Sequence, residues 1–108
     1  MILPEDPEQR KGLPIWRAFC RFFKKTIVAV TKQSMKGQKQ HDYNEGEIHW
    51  DRSKSSDDWD SLLRHMFDLQ EALENDDIEA ILEHAPALAW RGCAICEKAL
   101  DLADEYES

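Results

Sequence analysis

The chain has 108 residues, of which 33% are charged and 42% hydrophobic, with four Trp. That suits one folded domain with a modest core, and it excludes two domains or a disordered tail. The formal net charge of −8 makes a general nucleic-acid binder an unfavourable reading, because phosphate repulsion opposes association.

The charge is split along the chain. Residues 1–40 hold nine Lys/Arg against three Asp/Glu (+6), and residues 41–108 hold five against nineteen (−14). Two readings stay open. The basic segment docks on the acidic remainder, in the same chain or a second copy, or it faces phosphates beside metal-holding acids. No apolar run approaches the roughly 18 residues of a membrane span, and the N-terminal MILPEDPEQRKG is unlike a secretory signal. Three cysteines without such a signal read as free thiols of a cytoplasmic protein.

Residues 1–12, rich in Pro and Glu, read as a mobile or loosely docked arm, and 13–108 as a single helical domain. A first helix is expected from Leu13–Pro14 to Gly37, with Pro in its first turn and Gly just past its end. Ile15, Trp16, Phe19, Phe22, Phe23, Ile27 and Val30 share one of its faces, and Arg17, Arg21, Lys24, Lys25, Lys32 and Lys36 the other.

Residues 38–56 lack helical period and read as a long loop, a length often tied to function. Ser56 or Asp57 caps the second helix, whose apolar stripe is Trp59, Leu62, Leu63, Met66, Leu69 and Leu73, ending near Asn75. Asp76 or Asp77 caps the last segment. Its stripe of Ile78, Ile81, Leu82, Ala85, Leu88, Ala89, Gly92, Cys96, Ala99 and Ala103 crosses Pro86. A kink or break is therefore expected near Glu83–Ala85. No β-branched alternation occurs. The expected fold is all-α: a small bundle on an antiparallel helical hairpin, with the N-terminal amphipathic helix packed across it.

Several constellations carry chemistry. Cys93 and Cys96 have CxxC spacing, but no second pair accompanies them and they fall on the apolar stripe, which favours core packing. Asp68 and Glu71 lie three apart on one helical face, as a divalent metal needs, although an Arg64–Asp68 surface pair competes for that face. Glu79, Glu83, Glu97, Asp101 and Asp104 form an acidic surface stripe. His65 and His84 each sit at a stripe edge, with Arg91 on the same edge as His84, and Gln70 lies within its stripe and there requires a partner. Because a short acidic turn joins the two helices, both histidines fall about ten residues from the turn and should meet within about 10 Å.

GQKQHDYNEGEIHW (37–50), SLLRHMFDL (61–69) and ILEHAPALAWRGCAICEKAL (81–100) together resemble a family found mainly in bacteriophages. These are the dATP/dGTP diphosphohydrolases, similar to the all-α MazG-like nucleoside triphosphate pyrophosphohydrolases. The family pattern of loop Trp, helical Arg-His and final His-Ala falls on Trp50, Arg64-His65 and His84-Ala85. His49 stands where the family has Asn, Ile81 where it has a first His, and Pro86 follows the second.

The resemblance implies a nucleotide substrate and cleavage of the α–β phosphoanhydride with Mg²⁺ or Mn²⁺. His65 and His84 would be catalytic, Trp50, Arg64 and Arg91 would bind substrate, and Asp68 and Glu71 would hold the metal. It also implies a homodimer, which the second small-residue face at Ala87, Trp90 and Ala94 supports from the sequence itself. The alternative is a small acidic phage protein that binds and inhibits a host enzyme or defence complex, its carboxylates imitating nucleic-acid phosphates.

Overall fold

The computed structural model describes residues 2–40, 48–50, 52 and 57–107, with side chains left aside at 38–40. Its helices are α1 (Pro7–Lys11), α2 (Ile15–Ala18), α3 (Lys24–Gln40), α4 (Asp58–Glu74) and α5 (Ile78–Glu107), with a 3₁₀ turn at Cys20–Phe22. Among the described residues there is no strand. The fold is all-α, and α4 and α5 pack as an antiparallel hairpin with α3 against α5. No helix of the described residues is long and apolar enough to cross a membrane.

The N-terminal region departs from one continuous helix. The expected arm contains α1, started by the Asp6 side chain accepting from the Gln9 N–H, and it is exposed throughout. The expected helix 13–37 breaks where Phe19 (φ −135°) and Phe23 (φ −122°) leave helical geometry. Phe19 and Phe23 meet at 5.1 Å, and Lys24 lies 5.7 Å over the Trp16 ring. Aromatic side chains lose rotamer freedom in a helix, and these contacts favour the turn. Gly37 does not end α3, which continues to Gln40.

The hairpin turn is built from its own backbone. Asp76 takes φ +51°, and the Asp77 N–H reaches the Ala72 carbonyl at 2.9 Å while the Asp76 N–H meets Leu73 at 3.5 Å. This is a Schellman ending with Asp where Gly is usual. The Asp77 carboxylate then accepts from the Ala80 N–H at 3.2 Å, capping α5 as expected.

α5 runs through Pro86 as one helix, so the segment does not break near Glu83–Ala85. Proline leaves the carbonyl of residue 82 without its helical partner. Here Leu82 and Pro86 line an open groove and Leu82 is 70% exposed, so solvent can reach that carbonyl.

The seam between α4 and α5 lies beside the α4 stripe and, on α5, on the small-residue face at Ala87 and Ala94, so the face expected to meet a second copy is covered within the chain. Its buried members are Asp58, Ser61 and Ala72 on α4 and Ala87 and Ala94 on α5. At about 100° per residue, the α4 stripe of Trp59, Leu62, Leu63, Met66, Leu69 and Leu73 is centred about 105° from that seam, and Leu62, Met66 and Leu69 are half-buried. Trp59, Leu63, Phe67 and Leu73 are accordingly exposed. The same rotation corrects the cysteine reading: Cys93 and Cys96 are exposed, not core. Gln70 is likewise exposed and needs no buried partner.

The chain exposes 9068 Å², whereas a compact monomer of 12.6 kDa exposes about 6,200 Å². The radius of gyration is 16.5 Å, against about 13 Å for a compact domain of this length. Among the described residues, the buried apolar ones are Ala72, Ala87 and Ala94.

Candidate functional site

Two histidines meet across the seam. His65 is near the middle of α4 and His84 is in the second turn of α5. Their Nδ1 atoms are 3.1 Å apart and their ring centroids 5.3 Å, well inside the separation expected from the sequence. At that distance one Nδ1 must carry hydrogen and the other a lone pair. Asp68 Oδ2 and Glu83 Oε2 each lie 3.9 Å from His84 Nε2, so two carboxylates favour hydrogen on that nitrogen electrostatically without a hydrogen bond to either. His84 Nδ1 then accepts and His65 Nδ1–H donates, leaving the His65 Nε2 lone pair open to a proton. Burial first, then the neighbouring His84 and Arg91, pushes His65 below the ordinary histidine pKa, and Asp68 partly opposes this.

Beside the pair, Asp58 is gripped by Arg91 at 2.7 Å and Lys98 at 2.6 Å. Asp57 extends the chain of charges, 3.9 Å from Arg91 and 3.5 Å from Arg64. These five groups carry one net positive charge. Arg64 pairs with Asp57 rather than with Asp68, because α4 turns Asp68 toward His84.

A second aromatic and cationic group lies nearby on α5. Trp50 meets Trp90 edge-on at 5.5 Å, with Arg52 4.6 Å over Trp50 and Arg91 5.5 Å over Trp90. Arg52 also reaches Glu97 at 3.6 Å and Asp101 at 3.5 Å, so part of the acidic stripe is paired.

Of the residues singled out from sequence, His65, His84 and Asp68 come together and Arg91 lies close enough to lower the His65 pKa. Trp50 packs on Trp90 instead of closing over the histidines. Glu71 is exposed, and among the described residues no group of three or more His, Cys, Asp or Glu is placed to hold a metal. Asp68 and Glu71 thus build no metal cage by themselves. The rest of the expected loop, at 41–47, 51 and 53–56, lies outside the described residues.

Sequence reasoning missed Asp58, Trp90, Lys98 and Arg52 as partners. Asp58 was legible only as a first-turn acid, and its seam position follows from the rotation of α4. No family model, curated protein or solved structure matches the chain. What fold and site define is a class: a two-faced α-hairpin with a histidine pair in its polar seam.

Proposed function

We propose that the chain binds a nucleotide with its phosphates over the α4–α5 seam and cleaves the α–β phosphoanhydride, acting on dNTPs. The observation that carries this reading is the 3.1 Å His65–His84 contact, with Arg64, Arg91 and Lys98 on the same hairpin. Water attacks the α-phosphorus, the P–O bond to the β-phosphate breaks, and pyrophosphate leaves as the nucleoside monophosphate forms. His65 Nε2 accepts the proton of the attacking water, and His84, oriented by Asp68, holds the His65 ring. Arg91 and Arg64 face the phosphate oxygens, and the Trp50–Trp90 pair offers a stacking surface to the base. Neutralisation of phosphate charge by Mg²⁺ or Mn²⁺ carried on the nucleotide is the one contribution assigned to a metal, since the described carboxylates build no cage.

The working unit in this reading is a homodimer. What supports it is the set of large apolar side chains left exposed on α4, Trp59, Leu63, Phe67 and Leu73, which a second copy would cover.

The test is pyrophosphate release from a dNTP panel with and without Mn²⁺, together with thermal shift. His65→Ala and His84→Ala should each abolish release. Neither release nor a shift with any nucleotide overturns the reading. A second reading, an acidic protein that inhibits a host enzyme, draws on the exposed acidic end of α5. It requires binding that survives both histidine substitutions and falls steeply with salt.

A further inference from the structure

The histidine pair has a second chemistry besides proton exchange. When both imidazoles carry their hydrogen on Nε2, the two facing Nδ1 atoms present converging lone pairs. A tetrahedral ion with metal–nitrogen bonds of about 2.0–2.1 Å holds its nitrogens about 3.3–3.4 Å apart. His65 Nδ1 and His84 Nδ1 are 3.1 Å apart, so opening the pair by about 0.2–0.3 Å reaches that geometry. Both residues are half-buried, not sealed in the seam.

The surroundings suit the ligating state. Asp68 Oδ2 and Glu83 Oε2 lie 3.9 Å from His84 Nε2, at the end of the ring away from Nδ1. They draw hydrogen to Nε2 and leave the Nδ1 lone pair for an ion, the carboxylate–histidine–metal arrangement that recurs at zinc sites. Burial, His84 and Arg91 hold His65 below the ordinary histidine pKa, which keeps its ring in the neutral, ligating form near neutral pH. The cations beside His65 oppose an ion, but each is paired, Arg64 with Asp57 and Arg91 with Asp58. Imidazole nitrogen selects borderline ions such as Zn²⁺ over Mg²⁺, which prefers oxygen. Among the described residues no group of three or more His, Cys, Asp or Glu is placed to hold a metal. The protein therefore supplies two ligands here and water the rest, as in an open site.

We infer that His65 and His84 bind one Zn²⁺ ion through their Nδ1 atoms, with Asp68 and Glu83 supporting His84 from behind. The ligands are nineteen residues apart, one on α4 and one on α5, so the ion clamps the hairpin. It binds the folded chain in preference to the unfolded one and raises stability as its concentration rises. Ligation also shifts the His65 hydrogen from Nδ1 to Nε2, the nitrogen that accepts a proton in the proposed reaction, so Zn²⁺ inhibits that reaction. This last consequence rests on the proposed function, and the binding does not.

The experiment titrates the full chain with Zn²⁺ against a chromophoric chelator and follows melting by circular dichroism. Every sample carries Cys93→Ser and Cys96→Ser, because exposed thiols take zinc on their own. One ion per chain and a melting temperature that rises with Zn²⁺ are expected, with no rise from Mg²⁺. His65→Ala and His84→Ala should each abolish the rise while the chain stays helical. Asp68→Asn with Glu83→Gln keeps both ligands and should weaken binding about 10–100-fold; it decides the matter should a histidine variant fail to fold. No rise at millimolar Zn²⁺ overturns the inference, as does binding that survives in a folded histidine variant. Binding unchanged by the paired carboxylate substitutions overturns the site as described. A chain that binds Zn²⁺ in the expected way yet cleaves no dNTP overturns the proposed function and leaves the ion site standing.

Discussion

Replacing Asp58 by Asn tests whether the polar seam is held as described. Asp58 retains 9% of its side-chain exposure and accepts from Arg91 at 2.7 Å and from Lys98 at 2.6 Å. Asn keeps the shape and removes the charge, leaving two cations that are each only 27% exposed. Breaking a fully buried pair costs about 3–5 kcal/mol. Here the cations keep some contact with water and Arg91 retains Asp57 at 3.9 Å, so the expected cost is about 2–4 kcal/mol. Against a typical stability of about 5–15 kcal/mol for a domain, that is a large fraction. Urea denaturation at fixed protein concentration measures it, and the slope checks that the transition stays cooperative. Combining Asp58→Leu with Arg91→Met and Lys98→Met removes both signs together and should recover most of the loss. A cost below about 0.5 kcal/mol for Asp58→Asn, the range of ordinary surface changes, would refute the account of the seam.

Three further outcomes follow from particular residues. Asp76 holds φ +51°, so Asp76→Gly should stabilise the chain by about 0.5–1 kcal/mol, read from the shift in denaturation midpoint. The depressed pKa of His65 means that the unfolded chain binds its proton first; His65 therefore costs nothing well above the unfolded value of 6.5 and destabilises the fold as pH falls below it. Melting curves between pH 8 and about pH 5 should show a smaller acid loss in His65→Asn than in the unmodified chain, and equal losses would contradict the sign. Ala94 is 3% exposed where the helices approach, so Ala94→Leu should cost about 1–3 kcal/mol by overpacking, whereas Cys96→Leu on the open face should be nearly neutral by the same denaturation assay.

The sequence determined α4, α5 and one contact between them, but not the breaks in the N-terminal region. Helical period, the acids before Trp59 and the Asp76–Asp77 turn defined α4, α5 and their antiparallel pairing, because local propensity and a short connection leave little choice. The His65–His84 meeting was legible for the same reason, since both residues lie at similar distances from a turn that the sequence marks. Local pattern did not reveal how each helix is rotated about its axis. A sequence shows where the apolar stripe is, but not whether the stripe is buried within the chain or left for another surface. In this fold the polar and small residues Asp58, Ser61, Ala72, Ala87 and Ala94 are inside, and Trp59, Phe67 and Cys96 are outside. That rotation turned two expected core cysteines outward, placed Arg91 on Asp58 and took Arg64 from Asp68 to Asp57. The break at Phe19–Phe23 and the unbroken passage through Pro86 were decided in three dimensions too, by aromatic contacts that reward a turn and by an open groove that leaves the carbonyl of Leu82 accessible to water.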